Sequence, residues 1–209
     1  MISRNTLRMV NIILTISMFV PLVLFGQKKP VPVNVSLFSE MTAIPFTRFI
    51  VTPVHPGIQA GTEFNYTVKN HGRLFQTANL SYFYHSDLCQ GIGITTELGY
   101  EYRSNCGLAL ESLLGLGYLH TFATVKEFAF KDGKYERRTD LGNARLVPSL
   151  SLDLGYYFRK SDDTSPKAFL RYQVWAEYPY SPGFIPVMTH INLHAGVKVF
   201  IHPKTKNNE

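Results

Sequence analysis

Cysteine is nearly absent from this chain: Cys89 and Cys106 are the two among 209 residues. They flank one alternating segment, and a rise of about 3.3 Å per residue along a strand sets them beyond disulfide reach. Two free thiols are expected, and no cysteine directly follows the apolar N-terminal run, which argues against a lipoprotein. Charge is also scarce. Asp, Glu, Lys and Arg make up 17% of the residues, against roughly 25% in an average soluble protein. Tryptophan occurs once, whereas Tyr (12) and Phe (15) are plentiful. Long apolar runs are missing after the N-terminus, which argues against a helical membrane protein. Catalytic signatures are missing as well: there is no P-loop, G-x-S-x-G elbow, H-E-x-x-H or C-x-x-C. Gly115-Leu116-Gly117 lacks the third glycine and the strand–helix setting of a nucleotide site, and reads as small inward residues beside bulky ones.

The N-terminus has the form of a secretory signal over residues 1–26. Arg4 and Arg8 precede an apolar stretch, Met9 to Phe25, that Pro21 interrupts, and Gly26-Gln27 offers a cleavage point. Losing Arg4 and Arg8 lowers the formal charge from +6 to +4. That excess suits anionic lipid headgroups and is too small to argue for nucleic acid.

What the chain has in quantity is alternation. In Ile92–Tyr102 the bulky residues occupy even positions, and Gly, Thr and Glu the odd ones. Residues two apart on a strand share a face, so the strand has one greasy side and one polar side. The same pattern runs through Gly57–Val68, Leu74–His85, Gly91–Arg103, Gly107–Thr121, Ala144–Phe158, Lys167–Tyr178 and His190–Ile201. Each is long enough to cross a bilayer as a tilted strand of about 9–11 residues. Seven strands conflict with the even count of single-chain bacterial barrels. A return through alternating outer loops and periplasmic turns requires one more outward strand, for which Val33–Ser39 is available. The expected fold is all-β: an eight-stranded antiparallel transmembrane up-and-down barrel with a polar, side-chain-filled interior. It spans residues 27–202, and 203–209 form a short polar tail.

The aromatics fit this topology. Tyr66, Tyr100, Tyr102 and Tyr156 fall near the periplasmic rim, and Tyr82, Tyr84, Tyr118 and Tyr178 near the outer rim. All lie on the greasy parity, where interfacial girdles belong. The opposite parity carries Glu63, Glu97, Glu101, Arg103, Glu111, Arg145, Asp153, Arg171 and Glu177, joined by Lys198. Placing Arg171 on the lipid face at midplane would cost roughly 2–4 kcal/mol, so energetics and periodicity choose the same side. These groups are expected to form an interior polar network. Within the outer loop Phe122–Asn143, Asp132-Gly133 signals a further small hairpin.

No cofactor and no metal site are expected. His190 and His194 have a spacing that would share an ion on a helix, but on a strand they stand about 13 Å apart. His120 is the candidate for chemistry, with Thr121, Thr124 and Glu127 close behind it in sequence. A histidine, a hydroxyl and a carboxylate can build a hydrolytic site; the alternative is a polar rim residue beside Tyr118.

Over Val33–Ile201 the chain resembles the small Gram-negative outer-membrane barrels of the OmpA/OmpX type. It looks especially like an uncharacterised outer-membrane barrel family through His55-Pro56-Gly57-Ile58, Gly61-Thr62-Glu63-Phe64, Gly117-Tyr118-Leu119-His120 and Leu170-Arg171-Tyr172-Gln173. The resemblance implies an outer-membrane location, lipids and lipopolysaccharide as surroundings, and insertion by the outer-membrane assembly machinery. It implies no known reaction. One departure is Phe200, which is followed by further residues and falls on the inward parity. The chain also resembles the outer-membrane lipid A deacylases, whose barrels carry a histidine and a serine two residues apart at the outer rim. Here the matching place reads His120-Thr121-Phe122, without that serine. The readings carried forward are a structural or surface-interaction barrel, an outer-leaflet lipid-modifying enzyme, and a soluble periplasmic lipid-binding barrel with the greasy parity inward.

Overall fold

The computed structural model describes residues 30–47, 52–125, 128–131, 133–137, 140–160, 162, 164–181 and 183–202. The expected signal segment, the C-terminal tail and Glu127 lie outside the described residues.

Alternation becomes architecture directly. Among the described residues ten strands run in chain order: β1 (Val31–Thr42), β2 (His55–Val68), β3 (Gly72–Tyr84), β4 (Cys89–Arg103), β5 (Leu108–Ala123), β6 (Phe128–Lys131), β7 (Lys134–Arg137), β8 (Asn143–Tyr157), β9 (Lys167–Glu177) and β10 (Met188–Ile201). Eight of them close into one antiparallel barrel in the order β1-β10-β9-β8-β5-β4-β3-β2, and β6 and β7 form a separate hairpin. This is the expected eight-stranded up-and-down architecture. The hairpin turns at Gly133, whose φ of 78° suits glycine.

The strand demanded by the count is the one that seals the barrel. β1 pairs with β2 from Val33↔Thr62 to Glu40↔His55, and with β10 from Val31↔Ile201 to Thr42↔His190. It extends beyond the expected Val33–Ser39 at both ends. β2, β4, β5 and β10 likewise reach about two residues further at their loop ends than the alternation indicates. Ladder hydrogen bonds continue there while the side chains stop alternating cleanly, so the pattern understates the strand. β2 carries a bulge between Asn65 and Thr67 that leaves Tyr66 unpaired.

The two ends of the barrel differ. At the terminal end, where β1 starts and β10 finishes, connections are short: Lys69–His71, Ser104–Gly107 and Phe158–Pro166. At the loop end three of the four connections are longer, residues 85–88 being the exception, and one of them carries the β6–β7 hairpin.

Around the wall, large apolar side chains face outward. Leu80 (56%), Ile94 (54%), Leu110 (59%) and Leu114 (67%) are exposed, as are Leu150, Leu152, Leu170 and Val197. Seven of the eight expected girdle tyrosines are exposed too; Tyr118 is half-buried, with its hydroxyl 2.9 Å from His120 Nδ1. Val174, on the same even parity, is half-covered. On the same wall, Phe46 stacks on Tyr172 at 5.4 Å and donates its N–H to the tyrosine oxygen.

The polar parity faces inward and is buried. A soluble barrel with a greasy interior would need the reverse, so the third reading fails on the side-chain directions alone.

Candidate functional site

Register stacks the lumen into layers. Glu101↔Glu111 and Glu111↔Asp153 pair across β4, β5 and β8, and Asp153↔Arg171 and Arg171↔His194 continue through β9 to β10. Each inward residue therefore meets partners from several strands at similar height.

The terminal-end layer holds three carboxylates, Glu63, Glu101 and Glu111, against three bases, Arg73, Lys167 and Lys198. Arg73 bonds Glu63 and reaches Glu101 Oε2 at 3.0 Å. Lys167 bonds Glu111 and lies 3.4 Å from Glu101. Lys198 lies 3.4 Å from Glu63 and donates to the Tyr157 oxygen at 2.9 Å, and that hydroxyl donates to Glu101 at 2.8 Å. Arg73, Lys167 and Tyr157 were not among the expected network residues. They sit at strand ends, where the alternation gives way to turn chemistry, although all three have odd, inward parity. Arg103 stands at the margin: its guanidinium donates to the carbonyls of Arg159 and Lys160 and lies 4.0 Å over the Tyr157 ring. It clamps the β8–β9 turn as well as edging the lumen.

One layer up, Arg171 bonds Asp153 through two nitrogens at 2.8 and 2.9 Å and Glu97 at 2.9 Å. Glu97 accepts further hydrogen bonds from Asn79, Ser151 and Gln173 at 3.0–3.2 Å. His194 is fully buried, with Nδ1 3.1 Å from the Ser36 hydroxyl and Nε2 3.3 Å from Gln173 Oε1. A serine–histidine contact of that kind suits nucleophilic catalysis. Here the third group is an amide and all three are buried, so the chemistry it supports is packing.

Above it, Phe38, Phe83, Leu119, Val147 and Trp175 form an apolar layer across the lumen. A cavity of about 30 Å³ lies beside them, lined in part by Ser149, Trp175 and Asn192. Ser149 Oγ, Trp175 Nε1 and Asn192 Oδ1 lack protein partners. The space is sized for about two waters, not for a substrate.

The loop-end layer is built from imidazoles. His190 Nδ1 lies 2.7 Å from Glu40 Oε1 and its Nε2 3.5 Å from Glu177 Oε1, while its ring stacks on Trp175 at 4.1 Å. His55 and His85 stack face to face at 3.4 Å, and His55 Nδ1 is 3.2 Å from the Glu40 carbonyl. Burial pushes the His85 imidazole below its ordinary value, with Glu40 working against that shift. Arg145 faces Glu177 at 3.6 Å and bonds the carbonyls of Pro179 and Tyr180. The His55–His85–Glu40 grouping comes from two strands and the turn after β3, distant in sequence, so no local spacing signals it. The pair weighed from sequence, His190 and His194, stays apart in two layers with separate partners.

His120 faces outward. Its Nδ1 contacts the Tyr118 hydroxyl and its Nε2 the Leu141 carbonyl at 3.2 Å. Thr121 points the other way and is buried in the lumen, and Thr124 bonds the carbonyls of His85 and Ser86. Among the described residues no serine or threonine hydroxyl joins His120; its hydroxyl partner is the Tyr118 phenol.

No protein-family model matches the chain, and no curated protein aligns with it. Solved structures with a similar backbone course include the outer-membrane enzyme PagL, at 12% identity and TM-score 0.47 over 81% of this chain and 99% of that one. Neisserial surface protein A (NspA) aligns at 10% identity and TM-score 0.49 over 84% and 98%. Ail, the attachment invasion locus protein of Yersinia pestis, aligns at 14% identity and TM-score 0.39 over 81% and 96%.

Proposed function

We propose that this chain is an integral outer-membrane barrel whose role is structural or surface-interacting and not conductive. The observation that carries the reading is the belt of outward leucine, isoleucine and valine around a closed barrel, with Leu114 67% exposed at mid-strand. Soluble monomers rarely expose contiguous apolar patches beyond a few hundred Å². Each such side chain gains on the order of 1 kcal/mol on leaving water for hydrocarbon. Tyrosines at the strand ends support the same placement, because their rings sit well at headgroup level. The layered interior supports the absence of a conduit: ion pairs, an apolar layer and imidazoles succeed one another along the axis. On this reading the terminal end faces the periplasm, the loops face outward, and the immediate partners are membrane lipid, lipopolysaccharide and the assembly machinery.

The test is fractionation joined to a heat-modifiability gel and planar-bilayer recording. The expected result is recovery with the outer membrane, different migration of boiled and unboiled protein, and no stable single-channel current. Recovery in the soluble periplasm overturns the location, and a stable current overturns the plug.

A further inference from the structure

Four polar side chains at the loop end have more donor capacity than the protein uses. Register gathers them: Glu40 pairs directly with His55 across β1 and β2, and Gly57↔Phe83 carries the next step to His85. On the other side of β1, Thr42↔His190 sets His190 diagonal to Glu40. All four are buried. Glu40 Oε2 and His55 Nε2 have no hydrogen-bond partner, and His190 Nε2 has only Glu177 Oε1 at 3.5 Å. Buried polar atoms left unpaired are costly, so two side by side in one layer point to something that satisfies them.

We infer that Glu40, His55 and His85 form a binding site for a zinc-type divalent transition metal, with His190 as a supporting neighbour. One ligand atom from each of the three lies within 4.8 Å of the others. Ligands of a tetrahedral ion with bonds of about 2.0–2.1 Å stand roughly 3.4 Å apart, so side-chain torsions alone can close the set. The hydrogen bond between His55 Nδ1 and the Glu40 carbonyl holds the proton on Nδ1 and leaves the Nε2 lone pair free. Metal-bound histidines are oriented by such outer partners. His190, 2.7 Å from Glu40 Oε1, steadies the carboxylate in the same manner.

Binding separates the stacked rings so that each in-plane lone pair meets the ion. His85 Nδ1 accepts the Asp87 N–H at 3.3 Å, a long bond that coordination through either ring nitrogen gives up. Two imidazoles and one carboxylate select zinc, nickel or copper over magnesium and calcium, which prefer all-oxygen shells. Three protein ligands leave a coordination position for water.

The experiment uses the full chain without a histidine tag, refolded in detergent and stripped with chelator. Zinc uptake is counted by elemental analysis and titrated by calorimetry, with magnesium as the control. The expected result is one zinc per chain, no magnesium, and a loss of about 10–100-fold or more in affinity for the His55→Ala/His85→Ala double variant. Cobalt(II) on the unmutated protein reads the same site without any substitution and should give visible d–d absorption. No zinc uptake, no cobalt spectrum, or wild-type affinity in a heat-modifiable double variant would overturn the assignment.

Discussion

The two ends of the lumen handle buried polarity in opposite ways. At the terminal end three bases meet three carboxylates, and in the layer above it Arg171 alone serves two, using three nitrogens on Asp153 and Glu97. At the loop end the bases are mostly imidazoles, which carry charge only when protonated, and several ring and carboxylate atoms lack partners. The difference separates rigidity from capacity. A lattice of ion pairs tolerates loss poorly, because each removal leaves a buried group without its counter-ion. A layer built largely from imidazoles keeps ring lone pairs available.

The largest expected effect is therefore in the charged layers. Arg171→Met should lower the unfolding free energy by about 3–5 kcal/mol, since it leaves Asp153 and Glu97 facing each other without their cation. Glu40→Gln at the loop end keeps an oxygen for His190 and Thr42, and should cost only about 0.5–1.5 kcal/mol. Urea titration of detergent-folded protein reads both through Trp175, the sole tryptophan, buried in the apolar layer. Equal losses from the two variants would break the comparison.

A smaller effect comes from space within the same layer. A methyl group at Gly115 would press on the Ser149 hydroxyl and lie 2.8 Å from Glu97 Cγ. The glycine makes room for the carboxylate that Arg171 needs, so Gly115→Ala should destabilise by about 1–3 kcal/mol. If the variant unfolds like the parent, the charged layer is looser than these contacts imply.

These cases also separate what was legible in the chain from what was not. Strand parity exposes the inward direction of Glu97, Asp153 and Arg171, because a two-residue period is a local property. The need for β1 follows from counting crossings, although its reach to Thr42 does not. Gly115 is readable as a small inward residue; its neighbour Glu97 is on another strand and becomes visible only with the register. The loop-end histidines are the extreme case. His55, His85 and His190 lie in three strand-end segments, and only ring closure through β1 brings the last beside the first two. Arg73 and Lys167 were hidden for a different reason: turn residues beside them interrupt the alternation just where their long side chains reach inward.

The smallest expected effect concerns no stability at all, and it tests which end faces which compartment. Cys106 is exposed in the terminal-end turn, closed by the Gly107 N–H to the Ser104 carbonyl at 3.0 Å, with φ of 94° at Gly107. The Ser104 hydroxyl, 3.3 Å from Sγ, favours the thiolate and sets the Cys106 thiol below its ordinary value. Cys89, half-buried at the loop end, has no such access. Thiolate is the reactive form, so at neutral pH Cys106 should label with maleimide several-fold faster than Cys89 in purified protein. Ser104→Ala should slow that labelling by removing the hydroxyl, while the urea midpoint stays unchanged. In intact cells a bulky impermeant maleimide should leave Cys106 unlabelled until the outer membrane is permeabilised. Labelling before permeabilisation would reverse the barrel and turn the charged layers, not the imidazoles, toward the outside.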